Sequence, residues 1–192
     1  MQSKRNKAIF LDRDGVINED HDYVYKIEDM DFIPGSIDGL KKLQDSGYLL
    51  IIITNQSGIG RGYYTEEQYL KFRQEMHKRL QNFGIKITDE FYSPFHPKEN
   101  SICRKPSPFL IQKAIEKYDI NAKISYMIGD KTSDILSGIN ANIKTILVLT
   151  GKSGKDGLYD INADYTCKNL NEASLFFSDN FFESPIKFEN SF

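Results

Sequence analysis

Four short stretches of the chain are predominantly apolar: residues 8–11, 48–53, 124–128 and 145–149. They run without the in/out alternation of a half-exposed strand, so a sheet covered on both faces, and therefore parallel, is expected. The segments between them carry helical spacing and helical punctuation. Ser36 is placed to cap a helix to about Asp45, with Leu40 and Leu43 on its inner face and Gly47 as its stop. Thr65 and Gln68 have capping-box spacing at the start of a helix reaching about Asn82, ended by Gly84. Pro108 suits the first turn of a helix ending near Lys117. Thr132 or Ser133 is expected to cap another through Asn140, and Asn171 a last short one to Phe177. Alternating strand and helix predicts one α/β domain over residues 1–192: a doubly wound, mostly parallel sheet with helices on both faces. There is no internal repeat, and the aromatic-rich stretch 178–192 has no periodicity.

Composition narrows the functional classes only a little. A net charge of -2 over 192 residues offers no bulk attraction to nucleic acid or to an anionic membrane, and neither partner is expected. The N-terminal residues are basic, but the apolar run after them stops at Asp12, too short for a signal peptide. No stretch is long enough to span a bilayer, and two cysteines make no disulfide framework. A monomer in a reduced cytoplasm is the expectation.

The chemistry lies where the strands end. In an open parallel sheet, ligands bind beyond the carboxyl ends of the strands. The first strand ends in Asp12-Arg13-Asp14-Gly15 and the second in Thr54-Asn55-Gln56-Ser57-Gly58. The third ends in Gly129-Asp130-Lys131, with Asp134 one helical turn later. Asp12 and Asp130, with a backbone carbonyl near Asp14, make the hard oxygen site that Mg²⁺ prefers. A carboxylate can attack phosphorus to form an aspartyl-phosphate, dividing one hard displacement into two easier ones. Asp14, two residues on, projects to the same side of an extended segment and is suited to moving the proton. Gly15 permits a sharp turn, and Thr54 with a lysine would stabilise a transferring phosphoryl group. A lone Asp-x-Asp is usually a turn or solvated surface. Three independent strand endings converging on one edge are not explained that way.

Asp12-Arg13-Asp14-Gly15-Val16, Thr54, Lys105 and Gly129-Asp130-Lys131 with Asp134 resemble the motifs of haloacid dehalogenase-type phosphatases. Residues 10–18, the string from Thr54 to Gly62 and Cys103-Arg104-Lys105-Pro106 are similar to the branch acting on heptose 1,7-bisphosphate. The resemblance covers roughly residues 7–170 and implies a Rossmann-like fold with a minimal cap. It implies that Asp12 is nucleophile and Mg²⁺ ligand, and that Asp14 is general acid/base and a ligand through its main-chain carbonyl. Asp130 is then the remaining ligand, Thr54 and Lys105 hold the phosphoryl group, and Asp134 stands behind the ligands. Arg104, Lys131, Asp20, His21, Asp22, Tyr23, Asn55, Gln56 and Ser57 are implied to contact substrate. The implied reaction is removal of the 7-phosphate, toward nucleotide-heptose and surface polysaccharide.

One feature departs from that branch, many of whose members hold a structural zinc in the loop before the lysine. The corresponding positions here are Ser93, Phe95, Ser101 and Cys103, which cannot supply a closed four-ligand site. No structural zinc is expected, and His96 reads as a loop residue. Two other functions compete. One is histidinol-phosphate phosphatase, which shares the aspartate motif. The other is a non-catalytic phosphosugar-binding protein, which would be expected to lack Asp12 or Asp130.

Overall fold

The computed structural model describes residues 5–177, so the expectation for 178–192 falls outside the described residues. Its strands are β1 (Ala8–Leu11), β2 (Leu49–Asn55), β3 (Ile87–Ser93), β4 (Tyr126–Gly129), β5 (Lys144–Val148) and β6 (Tyr165–Cys167). They form one sheet in the order β3-β2-β1-β4-β5-β6, parallel throughout. The helices are α1 (Ser36–Asp45), α2 (Ser57–Gly60), α3 (Glu66–Asn82), α4 (Phe109–Lys117), α5 (Thr132–Asn140) and α6 (Leu170–Ser174).

Successive side chains of a strand point to opposite faces, and β1 divides accordingly. Ile9 and Leu11 join the core beneath α1, α3 and α6, where Leu40, Leu43, Phe72, Met76, Leu80 and Leu170 meet them. Ala8 and Phe10 join the other core, built with Leu110, Ile111 and Ala114 of α4. Gly138 sets α5 against β4 and β5 on this face, since a Cβ there would meet Thr145 and Met127. The strand order reverses between β1 and β4, so the splayed loops after these two strands open a crevice at the sheet's carboxyl edge.

Two strands carry no apolar run and were not expected. β3 reads Ile-Thr-Asp-Glu-Phe-Tyr-Ser, and in β6 Tyr165 and Thr166 are exposed. Both are edge strands, which need less apolar cover than central ones. Residues 122–124 form a 3-10 turn, so β4 begins only at Tyr126. The Thr65–Gln68 capping box forms as expected. At α1 it is Gly35, at φ 85°, that precedes the helix; Ser36 is its first residue and its hydroxyl is buried without a partner. At α5 the residue before the helix is Lys131, so Thr132 and Ser133 lie inside it. α6 is capped by Asn169, which accepts the Glu172 N–H at 2.9 Å, whereas Asn171 turns toward Lys42.

Gly39 is where α1 crosses α6. A Cβ there would stand 2.8 Å from the Leu170 backbone, closer than real contacts allow. Gly39→Ala is expected to destabilise the protein by about 1–3 kcal/mol despite alanine's better helix propensity. Urea denaturation checks this, and an unchanged or higher midpoint would contradict the close packing.

Candidate active site

β1 and β4 deliver Asp12 and Asp130 side by side, with the Asp12 N–H donating to the Ile128 carbonyl at 3.0 Å. The chain then turns back sharply: the N–H of Ile17 reaches the Arg13 carbonyl at 2.8 Å and that of Gly15 reaches Asn18 at 2.7 Å. Gly15 sits at φ 89°, and a Cβ there would lie 2.4 Å from Asp130 Oδ2. The glycine is therefore required by the turn and by the carboxylate beneath it.

Lys105, from the loop before α4, is buried in the crevice. Its Nζ lies 2.9 Å from Asp12 Oδ1 and 2.7 Å from Asp134 Oδ1, and donates to the Ile53 carbonyl at 2.6 Å. Lys131 Nζ lies 3.1 Å from Asp20, 3.7 Å from Asp130 and 3.8 Å from Asp12. Burial alone would raise the pKa of Asp12, but Lys105, Lys131 and the Arg13 N–H outweigh it and lower it. Asp12 is thus held as a carboxylate, the form that can act as a nucleophile. Burial likewise works against charge on both lysines, and the surrounding carboxylates raise their pKa values nonetheless.

Sequence reasoning passed over Arg13, which is fully buried. Its guanidinium grips both carboxylate oxygens of Asp14, at 2.8–3.0 Å, and donates to the Val24 carbonyl at 2.6 Å. It also stacks 4.6 Å above the Phe72 ring. Asn18 donates to Asp14 at 2.8 Å and Gln56 at 3.2 Å, so the carboxylate is fixed from several sides. Gln56 in turn donates to Thr54 Oγ1 at 2.9 Å and accepts from Tyr64 at 2.6 Å. The signal for Arg13 was present: an arginine flanked by two aspartates at a strand's end must find a partner or face solvent.

The cavity is lined by Asp12, Asp14, Thr54, Gln56, Ser57, Lys105, Arg104 and Lys131 among the residues singled out from sequence. Asp20, Asp22 and Tyr23 reach it from the loop after β1; Lys152, Leu158, Ser133 and Tyr64 line it as well and were not foreseen. His21 does not reach the cavity: its side chain is exposed and faces Asp31 at 4.0 Å. Asn55 lines it and also holds the Lys105 backbone, accepting its N–H at 3.0 Å and donating to its carbonyl at 3.2 Å. Tyr23 packs edge-on against Tyr63 and Tyr25 stacks on Tyr64, which pins the loop after β1 to the turn after α2. Arg61 lies over Tyr23 close to Arg104; among the described residues neither guanidinium has a carboxylate partner, and Arg61 Nε and one terminal nitrogen of Arg104 are buried without a hydrogen bond. Burial, and then the Arg61 charge, lower the pKa of Arg104.

The donors fit a hard divalent cation. Carboxylate oxygens of Asp12, Asp130 and Asp134 come within 4.8 Å of one another. Asp130 Oδ1 is buried without a hydrogen-bond partner, as an oxygen reserved for a cation would be. Asp134 Oδ1 also lacks a hydrogen bond but is ion-paired with Lys105 Nζ at 2.7 Å, and its Oδ2 accepts the Lys131 N–H at 3.1 Å, so this carboxylate holds the lysine. In the loop after β3, His96 Nδ1 accepts the Lys98 N–H at 3.0 Å, and the Pro94 carbonyl accepts from Gly60 at 2.8 Å.

A protein-family model described as "HAD-hyrolase-like" matches residues 102–173. The D-glycero-beta-D-manno-heptose-1,7-bisphosphate 7-phosphatase of Pasteurella multocida (strain Pm70) is 45% identical over 153 residues, 76% of this chain and 83% of that protein. The D-glycero-alpha-D-manno-heptose-1,7-bisphosphate 7-phosphatase of Photorhabdus laumondii is 46% identical over 159 residues, 79% of this chain and 87% of that one. Among solved structures, D,D-heptose 1,7-bisphosphate phosphatase from B. bronchiseptica, complexed with magnesium and phosphate, superposes with a TM-score of 0.81. It is 28% identical, and the match covers 88% of this chain and 96% of that one.

Asp130 makes stability depend on pH when no cation is bound. Burial raises its pKa most; Lys131 opposes this, Asp134 and Asp12 add to it, and the value is pushed up to about 8. A carboxyl raised from 3.8 stabilises the fold fully below 3.8 and loses that contribution as pH climbs through about 8. Metal-free protein is expected to melt at lower temperature at about pH 8 than at about pH 6, and Mg²⁺, which replaces the proton, to raise the melting point more at the higher pH. Thermal melts with and without Mg²⁺ check this; an equal Mg²⁺ effect at both pH values would contradict it.

Proposed function

Because the chain belongs to the haloacid dehalogenase superfamily and, within it, to the heptose-1,7-bisphosphate 7-phosphatases, we propose that it removes the 7-phosphate of a D-glycero-D-manno-heptose 1,7-bisphosphate. The observation that carries the mechanism is the Asp12 carboxylate, held ionised by Lys105 and Lys131 where β1 and β4 part. Asp12 attacks phosphorus, the bond from phosphorus to the sugar oxygen breaks, and Asp14 supplies the proton the leaving alkoxide needs. Water then attacks the aspartyl-phosphate, its proton passes to Asp14, and inorganic phosphate leaves with Asp12 restored. Thr54 and Lys105 bind the phosphoryl oxygens, and Arg13 keeps Asp14 aimed at the oxygen it protonates.

Asp12, Asp130 and the Asp14 carbonyl would hold Mg²⁺, which neutralises charge on the phosphoryl group when bound. Arg104 and Arg61, without carboxylate partners among the described residues and each with a buried nitrogen lacking a hydrogen bond, are suited to the phosphate that is retained. His21 is left out of this reading, and no zinc is assigned to the loop carrying Ser93, Phe95, Ser101 and Cys103. No helix among the described residues is long and apolar enough to cross a membrane. A cytoplasmic monomer acting on a small phosphorylated sugar completes the proposal.

Phosphate release is to be measured with Mg²⁺ from the α- and β-anomers of heptose 1,7-bisphosphate and from histidinol phosphate. Turnover of a heptose anomer is expected, falling by about 10⁴-fold or more in Asp12→Asn, since no other nucleophile takes its place. Turnover of histidinol phosphate alone would keep the chemistry and move the substrate. Tight binding of the heptose without any turnover would make the protein a phosphosugar-binding module.

A further inference from the structure

The segment after β5, Thr150-Gly151-Lys152-Ser153-Gly154-Lys155-Asp156, bears no residue assigned to the chemistry, yet it is fastened to the crevice at successive points. The Thr150 hydroxyl donates to the Gly15 carbonyl at 2.6 Å. The Lys152 N–H donates to Asp130 Oδ2 at 2.7 Å, and the Gly154 N–H to the Asp130 carbonyl at 2.7 Å. Farther along, Asp156 accepts the N–H and the hydroxyl of Thr132, at 3.0 and 2.9 Å, in the first turn of α5. Gly151, at φ 55°, passes so close that a Cβ would lie 2.3 Å from Asp130 Oδ2 and 2.7 Å from the Gly15 Cα. Asp130 is thus enclosed between Gly15 and Gly151, with one carboxylate oxygen bound by a backbone N–H and the other left without a hydrogen bond.

We propose that the 150–156 loop is a positioning element for Asp130: it fixes which carboxylate oxygen faces the cation, through the Lys152 N–H, the closeness of Gly151 and the anchor made by Asp156. The inference rests on the reading of Asp130 as a metal ligand. A carboxylate that binds a cation through one oxygen needs its other oxygen held, or the group rotates and the cation is bound less well. Loss of such outer hydrogen bonds typically weakens metal binding by about 10–100-fold. Asp156 never touches Asp130, so its effect must travel through the loop.

Mg²⁺ binding to the full-length protein without substrate, measured by titration calorimetry, tests this in Asp156→Ala, Asp156→Asn, Gly151→Ala and Asp130→Asn, with melting temperature recorded beside each. Asp156→Ala and Gly151→Ala are expected to raise the Mg²⁺ dissociation constant roughly tenfold or more. Asp156→Asn, which keeps an acceptor for Thr132, is expected to recover most of the affinity. Wild-type affinity in Asp156→Ala, with binding abolished in Asp130→Asn, would overturn the role of the loop alone. Undiminished binding in Asp130→Asn would overturn the ligand assignment beneath it. Should Gly151→Ala fail to fold, Asp156→Ala decides by itself, because it removes only the two hydrogen bonds to Thr132 and places no new atom against Asp130.

Discussion

Too many carboxylates converge on one sheet edge for the edge to exist without its two lysines. Asp12, Asp130, Asp134 and Asp20 surround the ammonium groups of Lys105 and Lys131 within 4 Å, most of them removed from water. At such separations one charge pair is worth ~4 kcal/mol at an effective dielectric of ~20, while taking each ion out of water costs several kcal/mol. The cluster is therefore a weak source of stability, and removing either lysine would leave buried carboxylates uncompensated. Its arrangement is better explained by chemistry: an ionised Asp12 beside cations that would receive a phosphoryl group, and an Asp130 whose free oxygen awaits a divalent ion.

The fold supplies what this crowding requires. Parallel strands buried on both faces give a rigid platform, and the reversal of strand order parts the loops after β1 and β4. Gly15 and Gly151 let two backbones press against Asp130 where no side chain would fit. Asn55 and Asp134 also face the cavity and help place Lys105, Asn55 through its backbone and Asp134 through one carboxylate oxygen, the other accepting the Lys131 N–H.

Much of this could be read from sequence, and the failures share a cause. Central strands announce themselves through unbroken apolar runs, whereas β3 and β6, at the sheet's edges, carry polar residues that tertiary partners satisfy. Glu90 of β3 is buried where Tyr69 and His77 meet it, at 2.5 and 2.7 Å, with Arg73 at 3.7 Å. Thr65–Gln68 was legible because a capping box is local; Gly35 and Asn169 displaced Ser36 and Asn171 through backbone geometry that composition does not display. At the site, Asp12, Thr54 and Asp130 were visible as strand-end residues, whereas Lys105, in the loop before α4, was given by the family resemblance. Arg13 was hidden behind its neighbours, and the loop beyond Thr150 acts mainly through main-chain N–H groups, which any residue but proline possesses.

Everything assigned to the site turns on Asp12 forming a bond to phosphorus. The most direct test is to mix the enzyme with heptose bisphosphate carrying a radiolabelled 7-phosphate, quench in acid during turnover, digest, and locate the label by mass spectrometry. Label on the peptide bearing Asp12, lost when unlabelled substrate is added before the quench, is the expected result. Full turnover with no trapped label, or label on a different residue, would contradict Asp12 as the nucleophile.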